Sequence, residues 1–273
     1  MGAGRFRVPI LMYHNVSDDP QIGIAPSRRT AIDPFTFRQQ MRFLLTAGYH
    51  TARLSEVAAW LGDGSTPPQK TVVITFDGGL RSSYTHAFPL LQEFSFSATV
   101  FLPTAFIGAS RRSFNKMECL TWLEVQEMHK AGIQFGSHTV SHPLLHQLPR
   151  VELMRELAVS KAEIERQLGE PAATLSYPYE FPRGNTAFAA DFRDLLVKVG
   201  YVCCVTSELG RVKSNDDPYR LKRLPVNALD DPALFRAKLE GGCDWQAWAH
   251  RVFHGFGSRR QPAPDNTPSS QAR

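Results

Sequence analysis

Residues 71–76 read TVVITF, an unbroken apolar and β-branched run of strand length, followed at once by Asp77, Gly78 and Gly79. A strand with one wet face alternates apolar and polar residues; a strand that does not alternate is covered on both faces. Parallel sheets are covered in that way, by the helices of their own crossovers. This one run therefore points the chain toward an α/β arrangement, and the rest of the sequence can be tested against it.

The pattern recurs. VPILMY (8–13), ATVFL (98–102), IQFGS (133–137), TLSY (174–177), YVCCV (201–205) and LKRLPV (221–226) read as further strands. Amphipathic stretches lie between them. Asp33-Pro34 opens a helix with an N-cap and a first-turn proline, Phe37, Met41, Leu44 and Leu45 form its apolar face, and Gly48 ends it. Residues 54–62 form a shorter helix. Thr121 and Glu124 fit a capping box for a helix through Met128 that stops near Gly132. Residues 150–168 are the clearest helix, with Met154, Leu157, Ile164 and Leu168 on one face, and residues 230–250 read as helical too. Residues 15–32 read as a loop, and 257–273 as a disordered polar tail rich in proline and serine. The expectation is one α/β domain over 1–256 around a parallel sheet of about seven strands, open or closed into a barrel.

In such folds the strands deliver chemistry at their C-terminal ends. VPILMY ends at His14, TVVITF at Asp77, and IQFGS at His138 with His142 four residues on, a spacing that puts both rings on one face if the segment is helical. TLSY runs into Pro178 and Tyr179. A carboxylate and two imidazoles at converging strand ends suit a divalent metal such as zinc.

TFDGG, SHTVSH and SYPYE, in this order and spacing, resemble three motifs of the polysaccharide deacetylases, the carbohydrate esterase family with the NodB homology domain. VPILMYHNV, DPFTFRQQMRFLLTAGY and SATVFL are similar to the branch that de-N-acetylates poly-β-1,6-N-acetylglucosamine. The resemblance covers roughly residues 8–226. It implies a distorted (β/α) barrel of about seven parallel strands, and a metal-dependent hydrolase removing N-acetyl groups from a carbohydrate substrate. Residue by residue, it makes Asp77 the general base, His138 and His142 the metal ligands, and Tyr179 the residue whose backbone N–H supports the oxyanion. The family's acid histidine lies in a late motif; His250 and His254 are in that part of the chain, though in surroundings that match the motif poorly, and His14 is an alternative acid. Arg223 is the candidate to orient Asp77, because TLSYPY lacks the arginine many relatives carry there.

Two positions depart from the family pattern. Gly78 stands where the family has a second, metal-binding Asp, and Glu180 where glycine is common. One expectation is that Glu180 supplies the carboxylate missing at Gly78. An alternative function follows from the same departure: a carbohydrate-binding protein without turnover, stacking sugars on Tyr13, Trp122 and Tyr179.

The net charge of +5 is not gathered into basic blocks, which gives nucleic-acid binding little support. Cys119, Cys203, Cys204 and Cys243 form no CxxC pair and read as buried thiols, with the adjacent Cys203 and Cys204 on opposite faces of a strand. No transmembrane segment and no signal sequence is evident, so as given the chain reads as cytoplasmic.

Overall fold

The computed structural model describes residues 6–18, 30–182 and 184–242. Within it, parallel strands close a barrel: β1 (Ile10–Tyr13), β2 (Thr71–Asp77), β3 (Thr99–Leu102), β4 (Gln134–Ser137), β5 (Thr174–Ser176), β6 (Cys203–Leu209) and β7 (Leu221–Pro225). Each strand pairs with the next in the chain, and β1 closes the ring by pairing with both β2 and β7. This settles the open-or-closed question in favour of the closed barrel. Short pairings decorate it, among them a hairpin of Ser113–Phe114 with Met117–Glu118.

The surrounding helices are α1 (Pro34–Thr46), α2 (Leu54–Asp63), α3 (Phe88–Glu93), α4 (Trp122–Lys130), α5 (Arg150–Leu168), α6 (Thr186–Val199) and α7 (Pro232–Glu240). Their starts follow the sequence signals. The Asp33 side chain accepts the Thr36 N–H at 2.9 Å, and Thr121 with Glu124 completes a capping box. Details differ. In α1, Leu45 is 52% exposed while Phe37, Met41 and Leu44 are buried. The core stripe of α5 is Leu153, Leu157, Ser160 and Ile164, rotated away from Met154 and Leu168. A serine on the stripe hides it from a reading by apolar periodicity. The sequence reading has no α3 or α6: Pro89 opens the short α3 after a π turn at Ser83–Ala87, and the first half of α6 is alanine-rich and weakly periodic. Only Pro232–Glu240 of the expected 230–250 helix is seen, ended by Gly241; residues 243–250, Cys243 and the expected 257–273 tail lie outside the described residues.

The interior explains the unalternating strands. Every residue of β2 is buried. Ile10, Val73, Phe101, Cys203, Val205 and Leu221 meet in one cluster, one or two from each of five barrel strands. Cys204 faces the other way, into the layer under α5 and α6. Burying a ring such as Phe101 contributes roughly 2–3 kcal/mol. It also requires Gly136 on β4, because a Cβ there would lie 2.6 Å from the Phe101 ring and 2.5 Å from Thr174 Oγ1. The packed interior leaves the strand ends as the place for polar chemistry.

Candidate active site

β2 runs one residue beyond its apolar stretch, so it carries Asp77 to the mouth of the barrel while keeping it buried. A lone buried carboxylate is costly, and here it meets a buried cation. Arg223, from β7, is 1% exposed. It donates NH1 to Asp77 Oδ1 at 2.8 Å and NH2 to Asp77 Oδ2 at 2.6 Å, a two-pronged fork. The guanidinium is itself held on every nitrogen. Nε donates to the Thr206 carbonyl at 2.9 Å, NH1 also reaches Thr75 Oγ1 at 3.3 Å, and NH2 also reaches Ser176 Oγ at 3.0 Å. The Ser176 hydroxyl donates to Asp77 Oδ2 at 3.2 Å. Burial acts to raise the Asp77 pKa, but the Arg223 charge, helped by His138, outweighs it and holds the carboxyl well below the ordinary range.

His138 and His142 approach from β4 and the loop after it. Their ring centroids are 4.6 Å apart, with planes at 71°. The loop is not helical, so their proximity comes from a different geometry than the one the four-residue spacing suggests. Thr139 (φ 68°) and His142 (φ 58°) take left-handed backbone, and Tyr179 (φ 59°) does so across the mouth. Such conformations in non-glycine residues cost on the order of 1–3 kcal/mol each and persist where surrounding contacts enforce them. Burial lowers the His138 pKa against the pull of Asp77, and burial with the neighbouring His138 pushes His142 down to about 3. Both rings are therefore neutral at ordinary pH. His138 Nδ1 lies 2.8 Å from the Ser176 carbonyl, so it carries the proton and leaves Nε2 bare. His142 packs between Tyr179 (4.5 Å) and Phe114 (5.0 Å), and its Nδ1 is buried without a hydrogen-bond partner.

His14, just past β1, is drawn into the same group: burial lowers its pKa while the Asp77 charge opposes that, with Arg223 and His138 also within electrostatic reach. Tyr179 is half-buried, and its carbonyl accepts from Ser207 Oγ at 3.0 Å. Thus Asp77, Arg223, His14, His138, His142 and Tyr179 come together at one end of the barrel.

Three expectations need correction. Glu180 is exposed, and among the described residues no three His, Cys, Asp or Glu side chains form a group able to hold a metal, so Glu180 does not replace the carboxylate absent at Gly78. Tyr13 is 1% exposed, packed on Phe37 and Phe76, and donates its hydroxyl to Gln40 at 2.9 Å. Trp122 is buried as well. Neither ring is available to stack on a sugar, whereas Tyr179 is half-buried. His250 and His254, the late histidines of the sequence, lie outside the described residues.

Two neutral imidazoles, one with its tautomer fixed by a backbone carbonyl and the other with a buried unsatisfied nitrogen, fit a divalent ion in donor chemistry. The donor count is one short of the three protein ligands usual for catalytic zinc. Gly78, where the family resemblance implies a second Asp, has a φ of 94°, a left-handed conformation natural to glycine, although a Cβ there would have room, with Leu80 Cγ at 3.6 Å.

Ser176, Thr75 and Thr206, which fix Arg223, and Phe114, which walls His142, do not stand out in the sequence. Ser176 opens the SYPYE segment, but its role depends on β5 lying across the barrel from β2 and β7, which no local pattern records.

A family model described as polysaccharide deacetylase matches residues 64–203 of the chain. A Bacillus subtilis protein named for the same family, YxkH, is 30% identical over 234 residues, covering 86% of this chain and 76% of that protein. The poly-β-1,6-N-acetyl-D-glucosamine N-deacetylase of Staphylococcus aureus is 24% identical over 197 residues, 70% of this chain and 66% of that one. Among solved structures, the Streptococcus pyogenes deacetylase PplD, in complex with acetate, superposes with a TM-score of 0.74 at 23% identity, covering 86% of this chain and 99% of the other.

Proposed function

The chain belongs to the polysaccharide deacetylase family, a family of hydrolases, and on that premise we propose that it removes N-acetyl groups from an N-acetylglucosamine-containing poly- or oligosaccharide, releasing acetate and leaving a free amine. The observation that carries this reading is the forked Asp77–Arg223 pair beside two neutral imidazoles at the barrel mouth.

His138 and His142 would hold a divalent metal, zinc by the donor set, which when bound supplies Lewis acidity at the amide carbonyl and a water of lowered pKa. The other steps fall to the chain's own groups. Asp77 stays ionised and accepts the proton of the attacking water at a carboxylate oxygen, with Arg223 and Ser176 fixing where that oxygen points. The Tyr179 backbone N–H faces the developing oxyanion in this reading, an interaction of the kind worth several kcal/mol in acyl transfer. His14, buried within electrostatic reach of Asp77, would take up the proton that Asp77 removes from the water and pass it to the departing amine, so that each group ends as it began. Burial of the whole group strengthens each of these interactions relative to water.

A second reading, sugar binding without turnover, is favoured by Gly78 alone, and loses support from the burial of Tyr13 and Trp122. Acetate release from β-1,6-linked N-acetylglucosamine oligomers, with and without added zinc, separates the two. No helix of the described residues is long and apolar enough to cross a membrane.

A further inference from the structure

The loop that carries the two histidines has an unusual hydrogen-bond pattern. Four consecutive backbone N–H groups, residues 139 to 142, donate to side-chain oxygens: Thr139 N to Ser137 Oγ at 3.0 Å, Val140 N and Ser141 N to one oxygen of Glu156 at 2.8 and 2.9 Å, and His142 N to Thr139 Oγ1 at 3.0 Å. The second Glu156 oxygen accepts the Ser141 hydroxyl at 2.8 Å. From the other side, the carbonyls of Thr139 and Val140 accept from Thr104 N and Ala105 N at 3.1 and 2.9 Å. Glu156 and Ser160 stand one turn apart on α5, and Ser160 Oγ is 2.6 Å from Ser137 Oγ, so the same helix face governs three of the four amides.

We propose that Glu156 is a positioning residue for the metal-binding pair: its carboxylate gathers the amides of Val140 and Ser141 and thereby enforces the left-handed turns at Thr139 and His142 that bring the two rings to 4.6 Å. A charged acceptor is suited to two converging N–H groups and a hydroxyl, because charge-assisted bonds are about twice as strong as neutral ones. A capping role would need the amides of α5 itself or of another helix; Glu156 instead lies in the body of α5 and reaches outward to a loop. This inference rests on the deacetylase reading only for its kinetic consequence; its geometric part stands in the metal-free chain.

The test uses the full chain and Glu156→Ala and Glu156→Gln. In metal-free protein, ring ¹⁵N–¹H correlation spectra report the tautomer and surroundings of His138 and His142, assigned by single substitutions. Glu156→Ala is expected to move both ring signals and speed exchange of the Val140 and Ser141 amides, with Glu156→Gln in between. With zinc, apparent metal affinity and kcat are expected to fall about 10- to 100-fold in Glu156→Ala, as for lost outer contacts of metal sites generally, with KM little changed. Unmoved ring signals and unaltered kcat alongside a lowered Tm overturn the proposal and leave Glu156 as a structural contact. If the unsubstituted chain releases no acetate but Glu156→Ala still moves both rings, the deacetylase reading fails and the positioning role stands. Should Glu156→Ala not fold, Glu156→Gln carries the same comparison.

Discussion

The Asp77 side and the histidine side of the barrel mouth both take polar groups out of water, and they do so by opposite means. Asp77 keeps its charge because its oxygens are met by donors: Arg223 twice, Ser176 once. The histidines lose theirs. Burial makes them neutral, and His142 Nδ1 is left with no hydrogen-bond partner. The first half is finished without a ligand. The second half leaves a buried nitrogen unsatisfied, on a loop held through hydrogen bonds to Ser137, Thr139 and Glu156 rather than by the rings themselves.

The contrast can be broken from either side. The largest effect is expected from Asp77→Asn, which keeps the shape and removes the base: kcat for acetate release should fall by about 10²–10⁴. A loss smaller than tenfold would mean that the proton goes elsewhere. Next, Arg223→Met leaves a buried carboxylate unpaired and is expected to cost about 3–5 kcal/mol in denaturant unfolding at pH 7. That cost should shrink in acid. Asp77 has a folded pKa below its ordinary value of 3.8, so the pair stabilises above that pH and loses its contribution as pH falls below it.

The histidine half responds to acid at higher pH. The folded His142 takes its proton near pH 3 instead of 6.5, so the unfolded chain binds more protons in between and stability drops as pH falls through that window. His142→Asn, chosen because asparagine tolerates the left-handed backbone, should flatten the decline between pH 6.5 and 4 by on the order of 2 kcal/mol. An unchanged slope would place the acid sensitivity outside this loop. The smallest effect on the fold is expected from Gly78→Asp. Left-handed backbone costs an L-residue about 1–2 kcal/mol, visible as a slightly lower Tm, while zinc should bind more tightly because the third ligand has been supplied.

Much of this arrangement is legible in the amino-acid sequence, and the exceptions have physical causes. A strand buried on both faces shows no apolar–polar alternation; TVVITF is the clear case, and its terminal Asp77 lies where a parallel fold must put it, whereas the more polar QFGS and LKRLP are less plain. The end caps of α1 and α4 are local chemistry and equally plain. The α5 stripe escapes a periodicity argument because Ser160 occupies a core position for the sake of Ser137, a contact with a strand in another part of the chain. The spacing of His138 and His142 pairs them correctly for the wrong local reason: four residues apart suggests a helix, but their meeting depends on two left-handed residues that no propensity favours, braced by a glutamate on α5. Tyr13 and Trp122 resemble sugar platforms because aromatic residues near strand and helix ends suit both a core and a groove, and only burial separates the two.

The most direct test of the central claim is acetate release from β-1,6-linked N-acetylglucosamine oligomers by the unsubstituted chain, titrated first with chelator and then with zinc. The expected result is no release in chelator, release that rises and saturates as zinc is added, and none from Asp77→Asn at any zinc level. No acetate from the unsubstituted chain at saturating zinc, alongside clear release from Gly78→Asp, would contradict the account and make this a deacetylase scaffold that binds without turning over.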